Sequence, residues 1–172
     1  MIQLIVPQAD HQEKFAQMMD EWHAAGGRIN PGILKKYVGD YKAWLQFIQD
    51  KENPEKIGAD EVLSSTYFVF REGQMIGAVN IRHYLNQDLL QSGGHIAYGI
   101  RPSERGNGFA KKALELALNQ CKVWGIRQAL LTCDKDNEAS SKVIQSQGGI
   151  LENEFINEEG MLELRYWIEI GN

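Results

Sequence analysis

The stretch Ile100-Arg101-Pro102-Ser103-Glu104-Arg105-Gly106-Asn107-Gly108-Phe109-Ala110 joins a strand-like run to an amphipathic helical pattern through a loop with two glycines. A strand that enters a helix this abruptly leaves the first helical N–H groups without acceptors, and they point at one spot. The helix dipole adds positive potential there. A phosphate or pyrophosphate is the natural ligand. Gly106 and Gly108 let the backbone approach it closely, and Arg105, Lys111 and Lys112 supply nearby positive charge. A glycine-rich helix start that holds no ligand is the plain alternative.

The elements around this loop follow from periodicity. Ile2 to Val6 reads as a short strand ended by Pro7. Asp10 caps a helix running to about Ala25, with Phe15, Met18, Met19 and Trp22 on one face. Leu34, Tyr37, Val38, Tyr41, Trp44, Leu45 and Ile48 give a second helical stretch, and Asn53-Pro54 opens a loop to about Asp60. The period then shortens. Thr66 to Arg71 and Met75 to Tyr84 are rich in β-branched and aromatic residues, with Glu72-Gly73 as a hairpin turn. After Ser92-Gly93-Gly94 comes a strand from His95 to Ile100. A helix covers Gly106 to Trp124, its stripe made by Ala110, Ala113, Leu114, Ala117, Cys121 and Trp124. Gln128 to Cys133 is a strand, Asn137 to Gln147 a helix, and Ile150–Ile156 with Met161–Ile170 a closing strand pair. The order predicts a mixed α/β fold with about seven strands and about four helices. The unit from His95 to Cys133 predicts a parallel crossover.

Three phosphate loops compete for residues 100–110. No GxxxxGK[ST] string exists, which removes the P-loop. The dinucleotide fingerprint needs a glycine where Lys111 stands and belongs on the first strand of its fold. The third pattern, Arg-x-x-Gly-x-Ala, is present as Arg105 to Ala110. It resembles the acyl-CoA pyrophosphate loop of the GNAT superfamily of N-acetyltransferases. A second motif strengthens the likeness. Asp136-Asn137-Glu138-Ala139-Ser140-Ser141-Lys142-Val143-Ile144, running into Gln147-Gly148-Gly149, is similar to the Asn-x-x-Ser/Ala helix start of that family. The wording of 100–105, 132–137 and 165–168 resembles a bacterial branch of predicted acetyltransferases.

The resemblance implies a single acetyltransferase domain over residues 1–172, with the fourth and fifth strands splayed and pantetheine in the gap. By the same carry-over, acetyl-CoA is the co-substrate, with no metal. The main chain near Ile100 bonds the pantetheine and thioester. The amides of Arg105, Gly106, Asn107, Gly108, Phe109 and Ala110 hold the pyrophosphate, and Asn137 and Lys142 contact the cofactor. Asn137 is also a natural helix cap. The reaction is direct attack of an amine on the thioester, with donors in place for the oxyanion. The family's usual acid is a tyrosine at the position held here by Ile144, so Tyr98, Tyr166 or water replaces it. His95 is the first choice of base, because its intrinsic pKa suits proton transfer near neutrality. A surface strand-end histidine is the plain alternative. Glu152 and Glu154 read as a solvated strand face, and Cys133 as a buried bystander rather than a nucleophile. Trp22, Tyr37, Tyr41 and Trp44 either wall the acceptor side or pack as core.

Composition bounds the rest. The 172 residues are 43% hydrophobic and 24% charged, enough for a real core without staples. No apolar run nears the ~20 residues of a membrane span, and Met1 to Pro7 does not read as a secretory signal. The two cysteines make no disulfide framework and suit a cytoplasmic protein. A net charge of −5 argues against nucleic acid as the partner. The expected partner is an amine-bearing small molecule or peptide, and the expected assembly a monomer or homodimer. An acyl-CoA-binding sensor, a nucleotide binder and transfer of a longer acyl group are the competing functions.

Overall fold

Successive side chains of a strand point to opposite faces, and the strand Ser64–Arg71 shows what that does here. Phe68 and Phe70 enter one apolar cluster, while Val69 enters another on the opposite face. A strand buried on both sides needs a layer on each side, and the chain supplies both. The computed structural model describes residues 1–171. In chain order they form β1 (Ile2–Ile5), α1 (Gln12–Ala25), α2 (Tyr41–Asp50), β2 (Ser64–Arg71), β3 (Gln74–Arg82), α3 (Gln87–Gln91), β4 (Ile96–Ile100), α4 (Phe109–Val123), β5 (Gln128–Asp134), α5 (Glu138–Ser146), β6 (Ile150–Ile156) and β7 (Leu162–Glu169).

On one face of β2 and β3, α1 and α2 bring Met18, Trp22 and Trp44 against Phe68, Phe70 and Met75. On the other face α4 brings Ala113, Leu114, Ala117 and Cys121 against Val69, Ile76, Val79 and Ile81. These four positions of α4 belong to the stripe that periodicity predicts. Leu114 is fully buried, so truncation to alanine costs about 2–5 kcal/mol.

The mixed α/β architecture and the seven strands agree with expectation. Their pairing divides into two sheets, ordered β1-β2-β3-β4 and β5-β7-β6, and every ladder is antiparallel. The crossover through α4 brings β5 beside β4, but the expected parallel pairing is not a ladder. The two segments meet at one isolated bridge, Gly94 with Leu131, where His95 N–H donates to Leu130 O at 2.7 Å. Beyond it they part, and the Tyr98 side chain reaches from β4 to the Ser140 hydroxyl of α5 at 3.0 Å.

Three local expectations change. The stretch from Leu34 to Ile48 is not one helix. A 3-10 turn at Gly32–Lys35 ends, Tyr37 takes a left-handed φ of 53°, and α2 starts afresh with Asp40 accepting from Ala43 N–H. The short α3, capped by Asn86, lies where no helix was expected, because a five-residue helix shows too little periodicity. α4 begins at Phe109, which leaves Gly106 to Gly108 as the loop proper.

Candidate active site

A cleft of about 550 Å3 opens where β4 and β5 part. Its floor and one wall come from Tyr98, Gly99 and Ile100 of β4, and its far wall from Asp134, Asn137, Ser140 and Val143. Gly106, Gly108, Phe109, Ala110 and Lys111 close one end. Gly108 is the N-cap of α4 and is left-handed (φ 79°), as is Gly106 (φ 80°). A glycine has no side chain to cap with, and among the described residues no other side chain takes its place at this terminus. The first N–H groups of a 15-residue helix therefore face the cleft without a side-chain acceptor. A Cβ at either glycine would meet nothing within 4 Å, so backbone conformation, not crowding, calls for glycine there.

The loop is braced from below. Arg105 Nε donates to Ile100 O at 2.9 Å, and Ser103 N–H donates to the Glu21 carboxylate of α1 at 2.6 Å. Arg101 pairs with the same carboxylate. Burial works to raise the Glu21 pKa, but the bonds from Ser103 and Arg101 outweigh it and hold it below the usual range. Gly99 admits a second close approach. A Cβ there would stand 2.0 Å from Asn30 O and 3.1 Å from the Trp22 ring. Its absence lets the segment carrying Arg28 and Asn30 lie against β4 as the cleft's roof. Arg28 crosses to Asp134 of β5, with Nη1 3.0 Å from the carboxylate.

The cleft continues past Tyr98, Asp134, Asn137 and Ser140 into a cavity of about 190 Å3 whose walls include Arg82, Ser92, Gly93, Cys133 and Glu163. Arg28, Asn30, Ser92 and Glu163 also border a further cavity of about 580 Å3, lined as well by Asp88, Glu158 and Glu159. Glu163 is only 6% exposed. Its carboxylate accepts from the Ser92 hydroxyl (2.9 and 3.0 Å) and from Asn157 Nδ2 (2.7 Å). Tyr98 stands between the cleft and the small cavity, and burial pushes its phenol up to about 12.

The residues singled out from sequence divide. Ile100, Arg105, Gly106, Gly108, Phe109, Ala110, Asn137 and Tyr98 all line the cleft. Asn137 is also the α5 cap, accepting from Ser140 N–H at 3.1 Å. Asn107 faces outward and bonds the carbonyls of Glu104 and Arg105, and Lys142 is exposed; neither is on the cleft wall. His95 departs furthest from expectation. It precedes β4, is 7% exposed and lies off the cleft walls. Burial and then the nearby Arg82 charge press its pKa down to about 4. Its Nδ1 accepts from Leu130 N–H at 2.9 Å. A neutral imidazole has one acceptor nitrogen, so the lone pair that base catalysis needs is already engaged.

Glu152 and Glu154 are on the solvated face, paired with Arg165 and Lys135. Of the four early aromatics only Trp22 reaches the cleft. Tyr41 and Trp44 are core, their polar atoms bonded to Gln8 O and Ile33 O, and Tyr37 is exposed. Ile144 is buried, so no hydroxyl comes from the family's usual tyrosine position. Glu163 and Arg82 had no signal in the sequence: each is one charged residue in an apolar strand pattern, like several others that face solvent.

Residues 2–150 match the family model of the acetyltransferase (GNAT) domain. No curated protein matches. Among solved structures the chain is similar to an acetyltransferase of Salmonella typhimurium that modifies the N-terminal serine of ribosomal protein L7/L12 (17% identity, TM-score 0.70, 98% of this chain and 94% of that one). It is also similar to a microcin C7 self-immunity acetyltransferase in complex with acetyl-CoA and AMP (15%, 0.69, 98% and 92%). A third is a spermidine N-acetyltransferase chimera from Vibrio cholerae and a second source (13%, 0.67, 98% and 96%). At these identities the structures share the fold. The match to the family model covers most of the chain, and on that ground the protein belongs to the GNAT acetyltransferase family.

Proposed function

We propose that this protein moves an acetyl group from acetyl-CoA to a primary amine by direct attack in a ternary complex. The observation that carries the reading is continuity. An uncapped helix N-terminus, a cleft between two parted strands, and a cavity holding a buried carboxylate lie along one path. Acetyl-CoA supplies an activated thioester and a pyrophosphate by which to hold it. The amides from Gly106 to Ala110 are the anion site, and Lys111 and Arg105 add charge at its rim. The pantetheine runs along Gly99 and Ile100 toward Tyr98.

Glu163 is our candidate base. It borders both the small cavity and the larger one beyond, where an acceptor enters. It takes the proton from the amine, whose nitrogen forms the new bond to the acetyl carbon as the carbon–sulfur bond breaks. Tyr98 is the candidate acid. Its raised pKa keeps the phenol protonated at every working pH, and it gives that proton to the departing sulfur. Positioned acid and base groups each contribute about 10²–10⁴ in rate, and holding both substrates in one path supplies much of the remainder. Cys133 borders the small cavity, but burial and then Asp134 push its thiol up to about 11. So little thiolate disfavours an acyl-cysteine route.

Calorimetric titration with acetyl-CoA and CoA, followed by amine-dependent thiol release, tests the reading. Micromolar binding with release supports it. Absence of binding to either refutes it. Binding without release against any amine identifies an acyl-CoA sensor, the reading that Ile144 favours.

A further inference from the structure

We infer that the amine acceptor also carries a carboxylate and that Arg82 binds it, so that the substrate class is a free amino acid or a close aminocarboxylate. The inference rests on the acetyltransferase reading for the identity of the site. Arg82 ends β3 and lies on the wall of the same 190 Å3 cavity as Tyr98 and Glu163. A guanidinium offers five N–H donors in a planar fork. Here Nη1 donates to Gly93 O at 3.1 Å and to Gly94 O at 3.3 Å. Nε and Nη2 bond no acceptor among the described residues. Neither is sealed from solvent, because Trp22 Nε1 is the only buried, unpartnered side-chain polar atom among those residues. Both nitrogens therefore keep some exposed surface, on a side chain that borders the cavity.

Among the described residues no carboxylate oxygen comes within 4.0 Å of Arg82, and no cationic nitrogen within 4.0 Å of Glu163. Burial lowers the Arg82 pKa to about 10, with no opposite charge to restore it. It is still a full cation at neutral pH. One turn fixes both groups: Ser92 donates to Glu163, and Gly93 and Gly94 receive Arg82. Charges withdrawn from water are normally paired. A cation and an anion on one small cavity, hydrogen-bonded to neutral groups but ion-paired with no other charge among the described residues, fit a ligand that brings one charge of each sign. An α-amino acid does so: its ammonium faces Glu163 and its carboxylate meets the guanidinium fork. A longer side chain has room in the adjoining 580 Å3 cavity, across Ser92 and Glu163. A polyamine brings no carboxylate, and the N-terminus of a protein has a peptide bond where a free amino acid has its α-carboxylate.

The test compares each of the twenty α-amino acids with its α-amide, and with spermidine. CoA-loaded protein is titrated by calorimetry, and thiol release from acetyl-CoA is followed with the same panel. At least one amino acid is expected to bind and react, with its amide about 100-fold or more weaker in Kd or kcat/KM. Arg82→Gln should reduce the acid to the level of the amide, and Arg82→Lys should restore part of the difference. CoA affinity should stay within about twofold in both, and the thermal midpoint reports whether either variant folds. Equal acid and amide in the unmutated protein, reaction with spermidine alone, or no binding by any of the twenty overturns the inference without touching the acetyltransferase reading. Failure of CoA itself to bind overturns that reading instead, and the amino acid and amide titrations of the unloaded protein then decide the role of Arg82.

Discussion

The two ends of the cleft are built on different principles. The end at α4 is mostly backbone: left-handed glycines and the unpaired amides of one continuous segment. The end at Glu163 is side chains from places far apart in sequence, with Arg82 on β3, Ser92 after α3, Tyr98 on β4 and Glu163 on β7. A backbone site tolerates varied side chains but needs a particular local conformation. A side-chain site needs particular residues and a scaffold to gather them. On the proposed reading, the first would hold the cofactor's anionic group and the second would select the acceptor.

That contrast predicts separable failures. Gly108→Glu has the largest effect. It sets a Cβ on a left-handed backbone and a carboxylate where the proposed pyrophosphate would sit. CoA affinity should fall by about 100-fold or more in calorimetry; an unchanged Kd removes the loop from the binding site. Glu163→Gln should leave CoA binding within about twofold and lower kcat by about 10²–10⁴. Loss of CoA affinity with kcat intact would mean the two ends are not distinct. Tyr98→Phe should lower kcat by about 10²-fold, the low end of a positioned acid's contribution, again with CoA affinity preserved. Because the Tyr98 pKa is near 12, the unmutated rate should show no alkaline decline from this group below about pH 11.

The smallest effect is read in stability. The folded pKa of His95 lies near 4, below the ordinary 6.5, because the native state excludes the charged form. The unfolded chain therefore binds a proton more readily between those values, and stability should fall as pH drops from about 6.5 toward 4. Denaturant unfolding across that window, compared with His95→Gln, should show a shallower slope in the variant. Identical slopes would show that His95 titrates normally. His95→Gln should also change kcat far less than Glu163→Gln; a larger loss would restore the histidine as base.

Legibility followed the same division. The α4 stripe, the glycine loop and the Asn137 cap were readable because each lies within one short segment whose pattern has one physical explanation. The break between residues 35 and 41 was hidden because Leu34, Tyr37, Tyr41 and Trp44 keep helical spacing across it, while the φ of Tyr37 leaves no trace in composition. Histidine chemistry and a place at the start of the fourth strand made His95 attractive. Its burial and its bond to Leu130 N–H belong to the packing of β5 against the start of β4.

Periodicity and the two glycines by themselves determined a mixed α/β chain with an uncapped, glycine-led start to one helix, because local conformation and the ends of hydrogen-bond ladders are set by near neighbours. Only the tertiary structure decided which carboxylate and which cation share the far cavity. Arg82 and Glu163 are 81 positions apart, and no local pattern separates them from the charged residues that face water. Their placement depends on the turn at Ser92 to Gly94, whose carbonyls receive Arg82 and whose Ser92 hydroxyl donates to Glu163.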